Sequence, residues 1–289
     1  MTLYKMIFWL VLLLTAAASL AQASATWTTI DVPGATSTNV FRINGTGEIV
    51  GTYYDSPVTF HGFLLSGGSF TTIDFPGASV TSALGINDSG QIVRAYFLTD
   101  NLYHGFLFDG QTFTTIDFPS ESGTQALDIN DAGQVVGIYT DQNGQDHGFE
   151  LSGGIFTTIE PAGSTFSELN GINNLGVIVG DFSRPGEIGR VVGFVYSEGK
   201  FKRKIAFPGA DVTAATGLND LRQVVGFFDT TSSPPIDKGF AFAKGTFVPR
   251  NFPGAADTVP FSINYSGDIV GSYVDSSGGE HGFLRQPGK

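Results

Sequence analysis

An all-β fold, a six-bladed β-propeller of four-stranded antiparallel blades, is predicted by three observations on this 289-residue sequence. An eighteen-residue phrase recurs, as "HGFLLSGGSFTTIDFPGA" at 61–78 and "HGFLFDGQTFTTIDFPSE" at 104–121. Units sharing it begin at Trp27, Phe70, Phe113, Phe156, Phe201 and Phe247, at spacings of 43, 43, 43, 45 and 46 residues. Each unit carries four short runs rich in Ile, Val, Phe, Thr and Tyr, bounded by Gly, Pro, Asn, Asp or Ser, and no capped helical period. That is how strands separated by turns read, and a repeat period of roughly 20–50 residues decides the architecture before any local reading.

Within a unit the first run is "FTTIDF". A proline follows it in every unit (Pro33, Pro76, Pro119, Pro161, Pro208, Pro253), and because proline has no N–H to donate, strand pairing stops there. The second run, "ALGIND", leads into the turn Asn87-Asp88-Ser89-Gly90, repeated at 130–133 and 264–267. Its polar first residue and its glycine suit a tight hairpin. The third run ("QVVGIYT" at 134–140) and the fourth ("HGFLL") lack clean alternation and are apolar on both faces. A sheet with two apolar faces has to be sandwiched between neighbours, and standing the units around an axis does this for all of them.

The ends support a closed ring. With "ALGIND" innermost and "FTTIDF" outermost, the chain starts with a lone outer strand, 27–32, and finishes with three strands that lack one. Pairing of the first strand with "HGFLR" at 281–285 would complete the last blade and cover its bare edge. The predicted organisation is a signal peptide, 1–25, and one propeller domain, 26–289, of six repeats at 27–69, 70–112, 113–155, 156–200, 201–246 and 247–289.

The signal reading rests on Lys5, the apolar run Ile7 to Leu14, and the small residues Ala21, Ala23 and Ala25; a retained membrane anchor is the alternative. The uninterrupted run is shorter than the ~20 residues that span a bilayer. Removing 1–25 takes away Lys5 and no acid, leaving 14 basic against 27 acidic residues, a net charge of −13. Such a surface repels nucleic acid and anionic lipid, so neither is expected as a partner. There is no cysteine, although export leads to a disulfide-permissive compartment. The expected location is periplasmic or extracellular, and the expected state a monomer.

The cores "GINDSGQIVR", "DINDAGQVVG" and "GINNLGVIVG", with "HGF" in most units, resemble the HAF-type extracellular repeat proteins of bacteria. "VGF" at Val192 and "KGF" at Lys238 depart from that pattern. The resemblance covers all six units and implies an exported, propeller-shaped protein, and it brings no catalytic residues with it.

The candidate chemistry lies in repeated positions and in departures from them. His61, His104, His147 and His281 share one repeat position. Equivalent positions of different blades are far apart, whereas a metal needs its ligands within ~2.3 Å of one point. They read as structural histidines bonding within their own blades, with a metal set as the alternative. Asn44, Asn87, Asn130, Asn173, Asn219 and Asn264 occur once per unit and read as turn caps, or else as a ligand site. Tyr53, Tyr96, Tyr139, Phe182, Phe228 and Tyr273 read as packing between blades.

Two residues before each asparagine stand Arg42, Gly85, Asp128, Gly171, Gly217 and Ser262. Arg42 and Asp128 break a run of small residues and read either as a salt bridge or as a ligand contact in the channel. The loops between the second and third strands vary most, and variable loops on a repeated scaffold are the usual place for recognition. They carry the candidate ligand-binding residues Asp55, Asp141, Asp146, Asp229 and Asp275, together with Asp100, Asp237 and Glu280. The stretch "DQNGQD" makes Asp141, Asn143 and Asp146 candidate calcium ligands, without the glutamate of a full EF-hand loop; apart from that ion no cofactor is expected.

The function read from these features is a secreted, non-catalytic binding or scaffold module that presents its variable loops to a glycan, a cell-envelope component or a protein. A hydrolase or lyase acting on polysaccharide through acidic residues at the channel mouth is the alternative.

Overall fold

The structure, a computed structural model, describes residues 24–56, 59–98, 102–187, 189–229 and 236–288. The signal-peptide reading of 1–25 falls almost wholly outside them. The described residues form strands and turns and no helix, so no helix is long and apolar enough to cross a membrane.

Strand β1 (Thr26–Ile30) stands alone at the start. The first unit continues as β2 (Ser37–Ile43), β3 (Ile49–Ser56), β4 (Thr59–Ser66) and β5 (Ser69–Ile73), an antiparallel meander in chain order. The second has β6 (Val80–Thr81), β7 (Gly85–Ile86), β8 (Ile92–Phe97), β9 (Tyr103–Phe108) and β10 (Phe113–Ile116). The third repeats the pattern as β11 (Gly123–Ile129), β12 (Val135–Thr140), β13 (Asp146–Ser152) and β14 (Ile155–Thr158).

Two further meanders follow: β15 (Phe166–Ile172), β16 (Ile178–Ser183), β17 (Val191–Ser197) and β18 (Lys200–Ile205), then β19 (Val212–Leu218), β20 (Val224–Asp229), β21 (Asp237–Ala243) and β22 (Thr246–Pro249). They merge into one eight-stranded sheet through a short parallel contact of Val191 and Val192 with Val212 and Thr213. The last unit supplies β23 (Asp257–Ile263), β24 (Ile269–Val274) and β25 (Glu280–Gln286), and β1 completes its sheet antiparallel to β25, from Thr26 opposite Gln286 to Ile30 opposite Gly282. The latch predicted from the one-plus-three strand count is therefore present.

One blade departs from the predicted four strands, for a local reason. The innermost run of the second unit is split into β6 and β7. At Gly51, Gly137, Gly180, Gly226 and Gly271 the backbone of the second strand passes so close to the inner strand that an added Cβ would overlap a carbonyl oxygen there. The second unit has Arg94 at this place, and its Cβ leaves the inner strand irregular between Thr81 and Gly85, tied to β8 only by the Ser82 N–H to Ala95 O at 3.3 Å and the Leu84 N–H to Val93 O at 3.1 Å.

The repeated phrase is explained by the core. The phenylalanines of the "HGF" position, Phe63, Phe106, Phe149, Phe194, Phe240 and Phe283, are 0–1% exposed. All but Phe106 belong to an apolar cluster shared with a neighbouring unit, and Phe106 meets the rings of Phe75, Tyr96 and Phe113. One such cluster joins Ile30 and Val270 to Val40, Ile43 and Phe63, so the contact between the last and first units has the same character as the others. Fully burying a side chain of this kind contributes roughly 1.5–3 kcal/mol, and the lack of disulfides is offset in that way.

Candidate functional site

The axis is built by a bulge that recurs in the inner strands. The ladder between an inner strand and its neighbour shifts register between Val40 and Arg42, Ala126 and Asp128, Leu169 and Gly171, Ala215 and Gly217, and Pro260 and Ser262. The skipped residues, Phe41, Leu127, Asn170, Thr216 and Phe261, have no cross-strand partner, as a bulge requires. Arg42 uses the carbonyls this leaves. Its guanidinium donates to Thr216 O at 3.1 Å, to Phe261 O at 2.6 Å and to Asn170 O, and its Nε lies 2.9 Å from Asp128 Oδ1. Asp128 Oδ2 accepts the Ile172 N–H at 2.9 Å. Burial raises the Asp128 pKa, and the charge of Arg42 opposes the rise. The two predicted channel residues are thus brought together as a buried salt bridge that plugs the axis and separates two cavities.

The first cavity, about 270 Å³, is ringed by the asparagine turns. Each asparagine caps its own turn: Asn87 Oδ1 accepts the N–H groups of Ser89 and Gln91 at 3.1 and 3.0 Å. Each also donates to the next unit. The bonds run from Asn44 to the carbonyl of Asn87, then to Asn130, Asn173, Asn219 and Asn264, and from Asn264 back to Asn44, at 3.0–3.4 Å. The turn-cap reading holds, and the closed cycle between units adds to it.

The second cavity, about 310 Å³, opens at the opposite end of the inner strands and is walled by Phe41, Phe166, Phe227 and Phe261. Glu168 and Asp181, cross-strand partners on β15 and β16, project into it with Asn170. Asn170 Nδ2 donates to Asp181 Oδ2 at 2.8 Å. Burial, and then the charge of Glu168, push Asp181 well above the usual carboxylate range. Burial also raises Glu168, against hydrogen bonds from Asn170 and Asp181 and the charge of Arg94. Arg94 Nε donates to Ser82 Oγ at 3.1 Å, and burial pulls its pKa down to about 10.

Sequence reasoning missed Glu168, Asp181 and Arg94, and of the three only Arg94 breaks a repeated position. Arg94 replaces a glycine, Asp181 stands where other units have Thr52, Ala95, Ile138, Phe227 and Ser272, and Glu168 stands where they have Asn39, Ser82, Gln125, Ala214 and Val259.

The four histidines tie the outer strand to its own sheet. Their Nδ1 atoms meet Asp74, Asp117, Glu160 and Asp31 at 2.8–3.0 Å, and their rings stack on Tyr53, Tyr96, Tyr139 and Tyr273. The two units without the histidine, at Val192 and Lys238, also lack the acid, having Ala206 and Asn251 there. Burial opposes protonation of His147, but Glu160 and Asp141 outweigh it and raise the pKa.

The loop aspartates are engaged locally. Asp55 and Asp275 each lie 3.4 Å from the Nε2 of their own histidine. Asp141 accepts the N–H groups of Asn143 and Gln145, both at 2.8 Å, and those hydrogen bonds lower its pKa. Hydrogen bonds from Ser277 and Gly279 bring Asp275 down to about 2. Asp146 accepts from Thr140 Oγ1 at 2.7 Å, and Asp229 from the Val212 N–H at 2.9 Å. Asp100 lies outside the described residues. Among those described, no group of three or more His, Cys, Asp or Glu side chains is arranged to hold a metal ion.

These features define an all-β propeller of antiparallel sheets with a plugged axial channel. Similar solved structures include the Aleuria aurantia lectin in complex with Fucα1-6GlcNAc, at TM-score 0.53 and 12% identity over 86% of this chain and 91% of that one. AofleA from Arthrobotrys oligospora matches at TM-score 0.56 and 13% identity over 90% and 86%. A gluconolactonase of Xanthomonas campestris matches at TM-score 0.53 and 11% identity over 93% of each chain. At these identities the likeness is one of fold. No protein-family model and no curated protein matches the sequence.

Proposed function

We propose that the protein is an exported, monomeric propeller of six blades, the eight-stranded sheet counting as two, related to the HAF-type repeat proteins. It binds a sugar residue of a glycan or cell-envelope polymer at its variable-loop end without cleaving it. The observation that carries this reading is the buried cross-strand pair Glu168 and Asp181 inside an aromatic-walled cavity, where burial raises both carboxyls. A sugar presents C–H faces beside hydroxyls. Phenylalanine rings cover the first, and a carboxylate, a carboxylic acid, an amide and a guanidinium serve the second. The volume falls at the lower end of the range for small-molecule sites, about 300–1,000 Å³. The glycan complex of the similarly folded Aleuria lectin supports the ligand class.

The same pair argues against hydrolysis. Glycosidases place two carboxyls roughly 5–9.5 Å apart, flanking the bond to be cut. Here the carboxyls stand directly opposite each other on adjacent strands, on one side of the cavity rather than flanking it.

A glycan array followed by calorimetry and an activity screen on the same sugars tests the proposal. Binding without product is expected. Glu168→Gln should weaken it roughly 10-fold or more, as loss of a charged hydrogen bond worth about 1.5–3 kcal/mol implies, and Phe166→Ala should weaken it too. Release of product would overturn the non-catalytic reading, and binding indifferent to both substitutions would overturn the site.

A further inference from the structure

A phenyl ring is missing from two of the six contacts that recur between blades: Val32 takes its place beside Tyr53, and Pro161 takes it at Phe182. Tyr96, Tyr139, Phe228 and Tyr273 are each covered by a ring from the end of the preceding outer strand, namely Phe75, Phe118, Phe207 and Phe252. Those pairs stack at centroid distances of 3.6–3.8 Å. At Phe182 the covering position is taken by Pro161, because 159–161 read "IEP" where 73–75 and 116–118 read "IDF". Two cations gather there instead: the Arg184 guanidinium is 5.1 Å and the Lys204 ammonium 5.7 Å from the Phe182 centroid. Beside them is a recess of about 330 Å³, bounded also by Pro161, Ala162 and Phe201.

The charge here opposes that of the rest of the molecule. The chain carries −12 overall, yet β18 reads "KFKRKI", while the other outermost strands read "TWTTI", "SFTTI", "FTTI", "IFTT" and "TFVP". Among the described residues neither Arg184 nor Lys204 pairs with a carboxylate, and Arg184 Nε is buried without a hydrogen-bond partner. Lysines on an edge strand discourage sheet-to-sheet pairing. That role explains neither the arginine on β16's loop nor the recess. Two like charges held over one ring without a counter-ion repel each other, and an anion between them would remove the cost.

We propose that this recess binds a uronate residue of an acidic polysaccharide. The sugar ring lies in the slot left by the missing phenyl, and the carboxylate sits between Arg184 and Lys204, where charge-assisted hydrogen bonds hold it. A concave slot with an aromatic floor fits a ring better than it fits a flat lipid surface. This site is separate from the axial cavity and does not depend on it.

Calorimetry of the full chain with oligogalacturonate and with its methyl ester, at low salt, tests the proposal. The acid is expected to bind and the ester to bind about tenfold or more weakly; Arg184→Gln and Lys204→Gln should each lower affinity for the acid by about tenfold. Pro161→Phe, which restores the ring present at the four equivalent contacts, should abolish binding while leaving the unfolding temperature equal or higher. Glu168→Gln should leave this binding unchanged. Equal binding of acid and ester, binding that survives Pro161→Phe, equal or tighter binding of phosphatidylglycerol vesicles or duplex DNA, or no binding at all would each overturn it.

Discussion

Replacing Arg42 with methionine removes the group that holds the centre of the ring. It strips the donor from the carbonyls of Thr216, Phe261 and Asn170 and leaves Asp128, 7% exposed, with a charge and no cation. Breaking a buried pair from one side costs about 3–5 kcal/mol. At about 2–4 °C per kcal/mol for a chain of this size, the unfolding temperature should fall by roughly 6–20 °C. The double variant Arg42→Met with Asp128→Leu removes the orphaned charge as well, so it should recover at least about 1 kcal/mol relative to the single one. Urea unfolding followed by tryptophan fluorescence and by circular dichroism measures both. A single-variant loss below about 1 kcal/mol, or a double variant less stable than the single, would refute the claim that Arg42 acts chiefly as counter-charge and carbonyl donor.

Asp181 gives a pH signature. Its carboxyl is held well above the usual range in the folded chain, whereas the unfolded chain releases that proton near ~3.9. The contribution is fully present below the unfolded value and is lost as pH rises through the folded one, at up to about 1.4 kcal/mol per pH unit. Asp181→Asn should flatten this decline, and parallel stability–pH profiles for the two proteins would count against it. Arg94→Gly should let β6 and β7 join, seen in a crystal structure of the variant as one unbroken strand from Val80 to Ile86; a strand still split there would show that something else breaks it. Titration with calcium should give no heat, because Asp141 already accepts two backbone N–H groups and a side-chain one. Measured uptake would reverse that conclusion.

What could be read in advance divides along a physical line. Residues that act identically in every unit were legible: the "HGF" phenylalanine fills each interface, the asparagine caps each turn, and the lone first strand fits the three-stranded last sheet. The axial cavity was not. Which side chains face it is set by the bulge at Phe41, Leu127 and their equivalents, and a one-residue bulge leaves no mark in strands that are apolar on both faces. Arg42 and Asp128 stood out because their neighbours in the repeat are mostly tiny. Glu168 was hidden because its position holds a different residue in every unit. Pro161 was concealed by regularity: it reads as the usual strand-ending proline, although it occupies the place of a phenylalanine.

The latch between β1 and β25 has a consequence for the order of events during synthesis. Strand β1 is made before its partner β25, so it finds that partner only after β25 has emerged, and the sheet they share waits with an unpaired edge until then. Because Thr26 and Gln286 lie side by side, a short peptide linker could join those two residues directly. New ends could then be opened in any of the turns between units, giving circular permutants in which a different blade is assembled from both ends of the chain.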